Sequence, residues 1–326
     1  MSTASGDAVD SVRIVALSGG VGGAKLAQGL AQVLAPEALV IVCNTADDFE
    51  HMGLRICPDI DSVMYALAGR NDPERGWGLA HETWAVMEAL RAFDGVTWFQ
   101  LGDKDLATHL SRTHLLRQGR SLGEATSWLC QRLGIKHSIW PMSDDPVATF
   151  VRTAERELPF QEYFVRERCA PIVRGFRYAG AEQARPHAGL MRLLEGNRLD
   201  AVIVCPSNPF LSVDPILALP GMRDALLATS APIVAVSPVV GGRALKGPLA
   251  KLLEELGQPV NTLSIARHYN DLLDGFVIDT VDRDEEAAHA RSGLATLATQ
   301  TVMSAANERR QLADDVLRFA RALRDR

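Results

Sequence analysis

The segment Val12-Arg13-Ile14-Val15-Ala16-Leu17-Ser18-Gly19-Gly20-Val21-Gly22-Gly23-Ala24-Lys25 decides the fold class. An apolar β-type run enters a glycine-rich turn, and the turn opens an apolar helix expected over Ala24–Leu34. Backbone N–H groups at a helix start lack intrahelical acceptors, and the helix dipole favours negative charge there. Such a turn is therefore an anion site, and glycine lets the backbone approach a phosphate closely. The spacing departs from two common fingerprints. A third dinucleotide-motif glycine would fall at Lys25, and a P-loop would need glycine where Ala24 stands.

Moving outward, Pro36 ends the helix and Leu39–Cys43 forms a second apolar strand, making a strand–helix–strand unit. Asn44 opens the loop behind that strand, at the sheet edge where ligands bind in open α/β folds. Asp47, Asp48, Asp59 and Asp61 fall in this loop as two pairs. Carboxylates beside a phosphate turn have a chemical use: a hard divalent cation takes oxygen ligands from carboxylates, phosphates and water. One of them also suits a general base. Plainer roles stand beside these, since Asp59 or Asp61 also suits a helix cap.

Further along, helical periodicity is expected over Trp77–Phe93 and a short strand over Thr97–Leu101, leading to a polar loop with Asp103 and His109. Ser121 and Glu124 have capping-box spacing. Ile135–Trp140 is another apolar stretch, followed by Met142 and a polar turn. Val147–Thr153 and Ile172–Tyr178 read as strands without a long helix between them. Ala201–Cys205, Ile233–Val236 and Gly275–Ile278 return to buried-strand character, and Asn307–Arg324 is an amphipathic helix. Ser207 and Asn208 sit between two prolines, while Lys246 lies in a glycine-bearing loop able to close over phosphates. Strands separated by helices predict an α/β, doubly wound, Rossmann-like, mostly parallel sheet. The expected organisation is one domain over residues 1–326, with a small inserted subdomain around 145–185 and residues 1–10 disordered.

Composition narrows the function. With 34 basic and 40 acidic residues the net charge is 34 − 40 = −6, which argues against nucleic acid as partner. Five scattered cysteines without a C-x-x-C motif fit reduced thiols and a cytoplasmic protein. Neither a signal peptide nor a membrane-spanning run is read.

Taken together, the loops resemble the 2-phospho-L-lactate transferase family of coenzyme F(420) biosynthesis. The resemblance rests on Ser18–Lys25, Asn44–Asp48, Pro58–Asp61, Leu101–Asp105 with Ala107–His109, Pro141–Pro146, Pro206–Pro209, and Ser237–Pro238 with Lys246–Pro248, all in family order. It implies a Mg²⁺-dependent, dimeric, Rossmann-like enzyme. Such an enzyme moves a phospholactyl-type group from a GDP ester to the ribityl hydroxyl of 7,8-didemethyl-8-hydroxy-5-deazariboflavin and releases GMP. Carried onto this chain, Gly19, Gly20, Gly22, Gly23 and Lys25 would hold phosphates, with Asn44 and Lys246 also on the substrate. Asp47 and Asp61 would hold Mg²⁺ or touch the acceptor hydroxyl as the catalytic pair. Ser207 and Asn208 would meet guanosine. Gln100, Asp103 and His109, with Trp84, Trp140 and Met142, would lie near the deazaflavin.

Two other readings compete. One is a non-enzymatic nucleotide-sugar binding regulator similar to the gluconeogenesis-factor family, against which Ala107–His109 and Met142–Pro146 speak. The other is a dinucleotide-dependent oxidoreductase with Asp47 on a ribose, against which the missing third glycine speaks. No motif separates lactate-, enolpyruvate- and glycerate-type donors, because selectivity between such small groups rests on one or two contacts.

Overall fold

Short, wholly apolar runs become strands buried on both faces, and this is what a parallel sheet flanked by helices requires. The computed structural model describes residues 13–325, so the expected disorder of residues 1–10 lies outside the described residues. Seven strands form the central sheet: β1 (Ile14–Ser18), β2 (Leu39–Cys43), β5 (Ser138–Pro141), β9 (Ala201–Val204), β10 (Ile233–Val236), β13 (Gly275–Asp279) and β14 (Ala295–Thr299). Their order is β14-β13-β10-β9-β1-β2-β5 and every pairing is parallel. The chain runs outward from β1 to β2 and β5, then returns to β9 on the other side of β1. That reversal opens a crevice beyond the carboxyl ends of β1 and β9, the ligand position of this architecture.

Alternate strand residues feed two cores. Ile14, Ala16 and Ile41 pack with Leu26 and Leu30 of helix Gly20–Val33, Val63 of helix Pro58–Leu67, and Val316 of helix Ala306–Arg324. Val15, Leu17 and Val42 pack on the opposite face with Leu190, Met222 and Leu252. Each such side chain contributes roughly 1.5–3 kcal/mol by leaving water.

Two excursions complete the chain. Between β2 and β5 lies a hairpin, β3 (Phe49–His51) and β4 (Leu54–Ile56), closed by Met52 and Gly53 at φ of 52° and 73°. Two consecutive positive φ angles are the mark of a type I′ turn. Helices Ala85–Ala92, Asp103–Arg117 and Leu122–Arg132 follow, and the last carries both bonds of the Ser121/Glu124 capping box. Between β5 and β9 sits a three-stranded antiparallel sheet in order β7-β6-β8: β6 (Ala148–Thr153), β7 (Glu157–Pro159) and β8 (Val173–Ala179). A small hairpin, β11 (Val239–Val240) with β12 (Arg243–Ala244), follows β10.

Two sequence expectations are corrected. Residues 77–84 are not helical, because Gly76 and Gly78 hold φ of 78° and 69° and Arg75 lies over the rings of Trp77 and Trp84. Residues 97–101 form no strand, because Trp98 and Phe99 pack their rings against Phe49 and His51.

Candidate active site at the sheet crevice

The glycine turn is wedged against the loop that leaves β9. Ser207 Oγ accepts the Gly19 amide at 3.1 Å and donates to the Gly19 carbonyl at 2.8 Å. A Cβ on Gly22 would lie 2.3 Å from the Pro206 carbonyl oxygen, and one on Gly23 would lie 2.7 Å from Ser207 Oγ. On Gly19 it would meet Ser212 Cβ at 2.4 Å. Gly22 lets two backbones touch, and Gly19 and Gly23 leave room for serine side chains. Gly20 alone, at φ +64°, faces open space. Its amide donates to Asp59 Oδ1 at 2.7 Å, so a carboxylate already stands at the helix start.

Asp59 ties the turn to the acidic loop. Its other oxygen accepts from Asn44 Nδ2 at 3.0 Å, and that nitrogen also donates to the Leu211 carbonyl at 3.2 Å. Asp47, Asp48, Asp59 and Asp61 are all buried, at 7%, 5%, 5% and 5% exposure. Asp47 Oδ1 and Asp48 Oδ1 have no hydrogen-bond partner. Burial pushes the Asp47 carboxyl well above the usual range, and the charges of Asp59 and Asp48 push it further. Burial likewise raises Asp48 to about 7 and Asp59 to about 6. The nearest positive charge to Asp48 is Arg55, at 3.5 Å and partly exposed.

Asp61 is different. Arg112, with no exposed surface, donates to both its oxygens, one at 3.1 Å and one closer. Burial opposes the Arg112 charge, but Asp61 and the other neighbouring groups together more than offset it and the guanidinium stays ionised. His109 Nδ1 lies 3.7 Å from Asp61, and its Nε2 lies 3.4 Å from Asp105, which accepts the Tyr65 hydroxyl. Asp61, Asp105 and His109 offer ligand atoms all within 4.8 Å of one another. Arg112 pairs with Asp61 alone of that group, and the carboxylates left with an unpartnered oxygen are Asp47 and Asp48.

The inserted sheet braces the acidic loop from behind. Thr149 of β6 donates its amide to the Ala46 carbonyl at 2.7 Å, and Gln161 Nε2 donates to the Asp47 carbonyl at 3.1 Å. Tyr178 of β8 donates to the Phe210 carbonyl at 2.6 Å, next to the Leu211 carbonyl that Asn44 uses.

The remaining expected residues divide. Asn208 caps the following turn through Oδ1, accepting the amides of Phe210 and Leu211 at 3.0 and 3.2 Å. Lys25 lies outside the crevice, donating to the Met303 carbonyl at 2.8 Å. Lys246 Nζ reaches across to Gly76, 2.3 Å from where a Cβ there would stand. Asp103 caps helix Ala85–Ala92, accepting the Ala85 and Val86 amides at 3.0 Å each. Gln100 turns to its own loop, donating to the Thr97 carbonyl at 2.8 Å. Trp140 stacks on His187 with centroids 4.4 Å apart, and Met142 is fully buried in the core.

Sequence reading passed over Arg112, Thr149, Gln161 and Tyr178. Arg112 carried a signal: Asp105, His109 and Arg112 stand at i, i+4 and i+7 on one helix, which puts them on one face. The others meet the site only through tertiary folding.

The family model described as 2-phospho-L-lactate transferase CofD matches residues 14–316. A phosphoenolpyruvate transferase of Kitasatospora aureofaciens is 38% identical over 320 residues, covering 96% of this chain and 99% of that one. This chain belongs to the 2-phospho-L-lactate transferase family. Another member similar to it, the 2-phospho-L-lactate transferase of Methanosarcina mazei, is 37% identical over 304 residues, covering 93% of this chain and 99% of that one. A crystal structure of a UPF0052-family protein from Bacillus halodurans shares the family fold with TM-score 0.62 at 14% identity, covering 94% of this chain and 99% of that chain. Membership makes the chain a transferase. Among the described residues no helix is long and apolar enough to cross a membrane.

Proposed function

We propose that this transferase moves the phosphoryl-linked three-carbon acid of a GDP ester onto the ribityl hydroxyl of 7,8-didemethyl-8-hydroxy-5-deazariboflavin, with release of GMP, in coenzyme F(420) biosynthesis. One observation carries this reading. Asp59 bonds both the amide of the phosphate-type turn and Asn44 of the acidic loop, so the anion site and the carboxylate cluster are a single site. Carboxylates facing a phosphate repel it unless a divalent cation stands between them.

Mg²⁺ fits that position. The unpartnered oxygens of Asp47 and Asp48 are hard donors, and burial, which raises their affinity for protons, would equally favour a bound cation. Asp47 and Asp59 would hold the ion, and Asp61 would join them only by releasing Arg112. Once bound, Mg²⁺ would neutralise charge on the phosphoryl oxygens.

The chain's own groups do the rest. The acceptor oxygen forms a bond to the phosphorus that bears the acid, the bridging P–O bond breaks, and GMP departs with the bonding pair. The hydroxyl proton passes to a carboxylate of the cluster. Asp61, fixed by Arg112, holds charge in place rather than moving a proton. By helix geometry the Val21 and Gly22 amides lack intrahelical acceptors and face the diphosphate. The side-chain amide nitrogen of Asn208 is left for the guanosine. Little covalent help is needed for such a displacement. The five free thiols fit a reducing cytoplasm, and the assembly is read as a homodimer.

The test offers purified protein the GDP esters of lactate, enolpyruvate and glycerate type with deazaflavin and Mg²⁺, and weighs the products. One ester gives a mass equal to deazaflavin plus its phospho-acid less one water, with GMP in equal amount. Unchanged deazaflavin with all three refutes the reading.

A further inference from the structure

Lys25, expected at the phosphates, points elsewhere. A pocket lies between helix Gly20–Val33, helix Pro58–Leu67, the loop 71–78 and the start of helix Ala306–Arg324. Lys25, Tyr65, Trp77 and Arg309 line it. Val21 and Ala24 line it as well, so one helix face leads from the phosphate turn into the pocket. Lys25 is only roughly 7 Å along the axis from Gly20. Lys246 Nζ presses on Gly76, another wall residue.

Three cations, Lys25, Arg309 and Lys246, outnumber the one acid whose charge faces them, Glu308. Arg309 donates one nitrogen to Gln28, and its Nε is buried without a partner. Lys25 has one acceptor, the Met303 carbonyl, for three ammonium hydrogens. Of the acids nearby, Glu308 accepts the amides of Ser304 and Ala305 at 2.6 and 2.8 Å and sets one negative charge against Lys25 and Arg309, while Asp72 pairs with Arg75 at 2.9 Å. Burial, then the neighbouring Arg309 and Lys246 charges, make protonated Lys25 less favourable despite Glu308, and a second anion would reverse this.

We propose that Lys25 and Arg309, with Lys246 beside them, seat the carboxylate of the three-carbon acid carried by the donor. The proposal rests on the transferase reading above. The diphosphate already has the helix start and the carboxylate-bound cation. A second anion one helical turn away is what all three donor types share, the carboxylate of the three-carbon acid. A guanidinium fits a carboxylate's planar geometry.

Titration calorimetry with Mg²⁺ tests this, using GDP, the GDP ester of lactate or enolpyruvate, and the carboxylate-free ethyl ester of GDP. For Arg309→Gln and Lys25→Met, ester affinity falls about tenfold or more, the worth of a charged hydrogen bond. GDP and ethyl-ester affinity stay as in the wild type. Wild-type protein binds the ethyl ester more weakly than the acid ester by a similar factor, a comparison independent of any variant's folding. Equal losses for GDP and acid ester would place these cations on the diphosphate and overturn the proposal, as would no loss for either. Wild-type protein that binds neither GDP nor any ester overturns the functional reading beneath it.

Discussion

The Gly20 amide donates to Asp59 at 2.7 Å, so the helix start that reads as a phosphate seat holds a carboxylate. The phosphate must therefore meet the neighbouring amides together with a cation, not the bare turn. This relationship separates the roles of residues that look equivalent in the sequence.

The glycines divide accordingly. Gly22→Ala puts a methyl against the Pro206 carbonyl, where 2.3 Å is available, and should destabilise by about 3 kcal/mol. Gly20→Ala meets only the left-handed backbone penalty of about 1 kcal/mol. Urea denaturation compares them, and a larger loss for Gly20→Ala contradicts the packing described.

The aspartates divide too. Asp47→Asn removes a buried charge that lacks a partner, so turnover falls by about 10³-fold while the melting temperature does not drop. Asp61→Asn strands the buried Arg112 charge and should cost about 3–5 kcal/mol of stability. Equal melting temperatures for the two variants would count against the Arg112 pairing as drawn.

Stability and Mg²⁺ are linked through pH. The folded carboxyls of Asp48 and Asp59 titrate at about 7 and about 6, above their unfolded value of about 4. Between those limits the folded state binds more protons, so metal-free protein loses stability as pH rises from about 4 to about 7. Mg²⁺ binds only the ionised groups, so the rise in melting temperature on adding it should grow from pH 5.5 to 7.5. Scanning fluorimetry across that range, with and without Mg²⁺, checks it. A pH-independent Mg²⁺ effect would place the ion elsewhere.

Much of the fold is legible in the sequence because buried parallel strands read as unbroken apolar runs, as at Leu39–Cys43 and Ala201–Val204. The stretch 77–101 is not, because aromatic residues there serve ring packing and cation stacking that no periodicity announces. The acidic loop is legible as chemistry. Its division into free and paired carboxylates is not, since Arg112 and Gly20 reach it from 51 and 39 residues away.

The inserted sheet holds the loop in place. Gln161→Leu removes the bond to the Asp47 carbonyl. It should raise the Mg²⁺ concentration for half-maximal activity about tenfold while leaving the rate at saturating Mg²⁺ near normal. A lowered saturating rate with unchanged Mg²⁺ dependence would assign this residue another role.

A crystal structure with GDP and Mn²⁺, the ion located by its anomalous scattering, tests the central claim most directly. The account predicts the metal on Asp47 and Asp59, and the diphosphate against the Val21 and Gly22 amides. A nucleotide bound away from the glycine turn, or a metal seated on Asp61, Asp105 and His109, would contradict it.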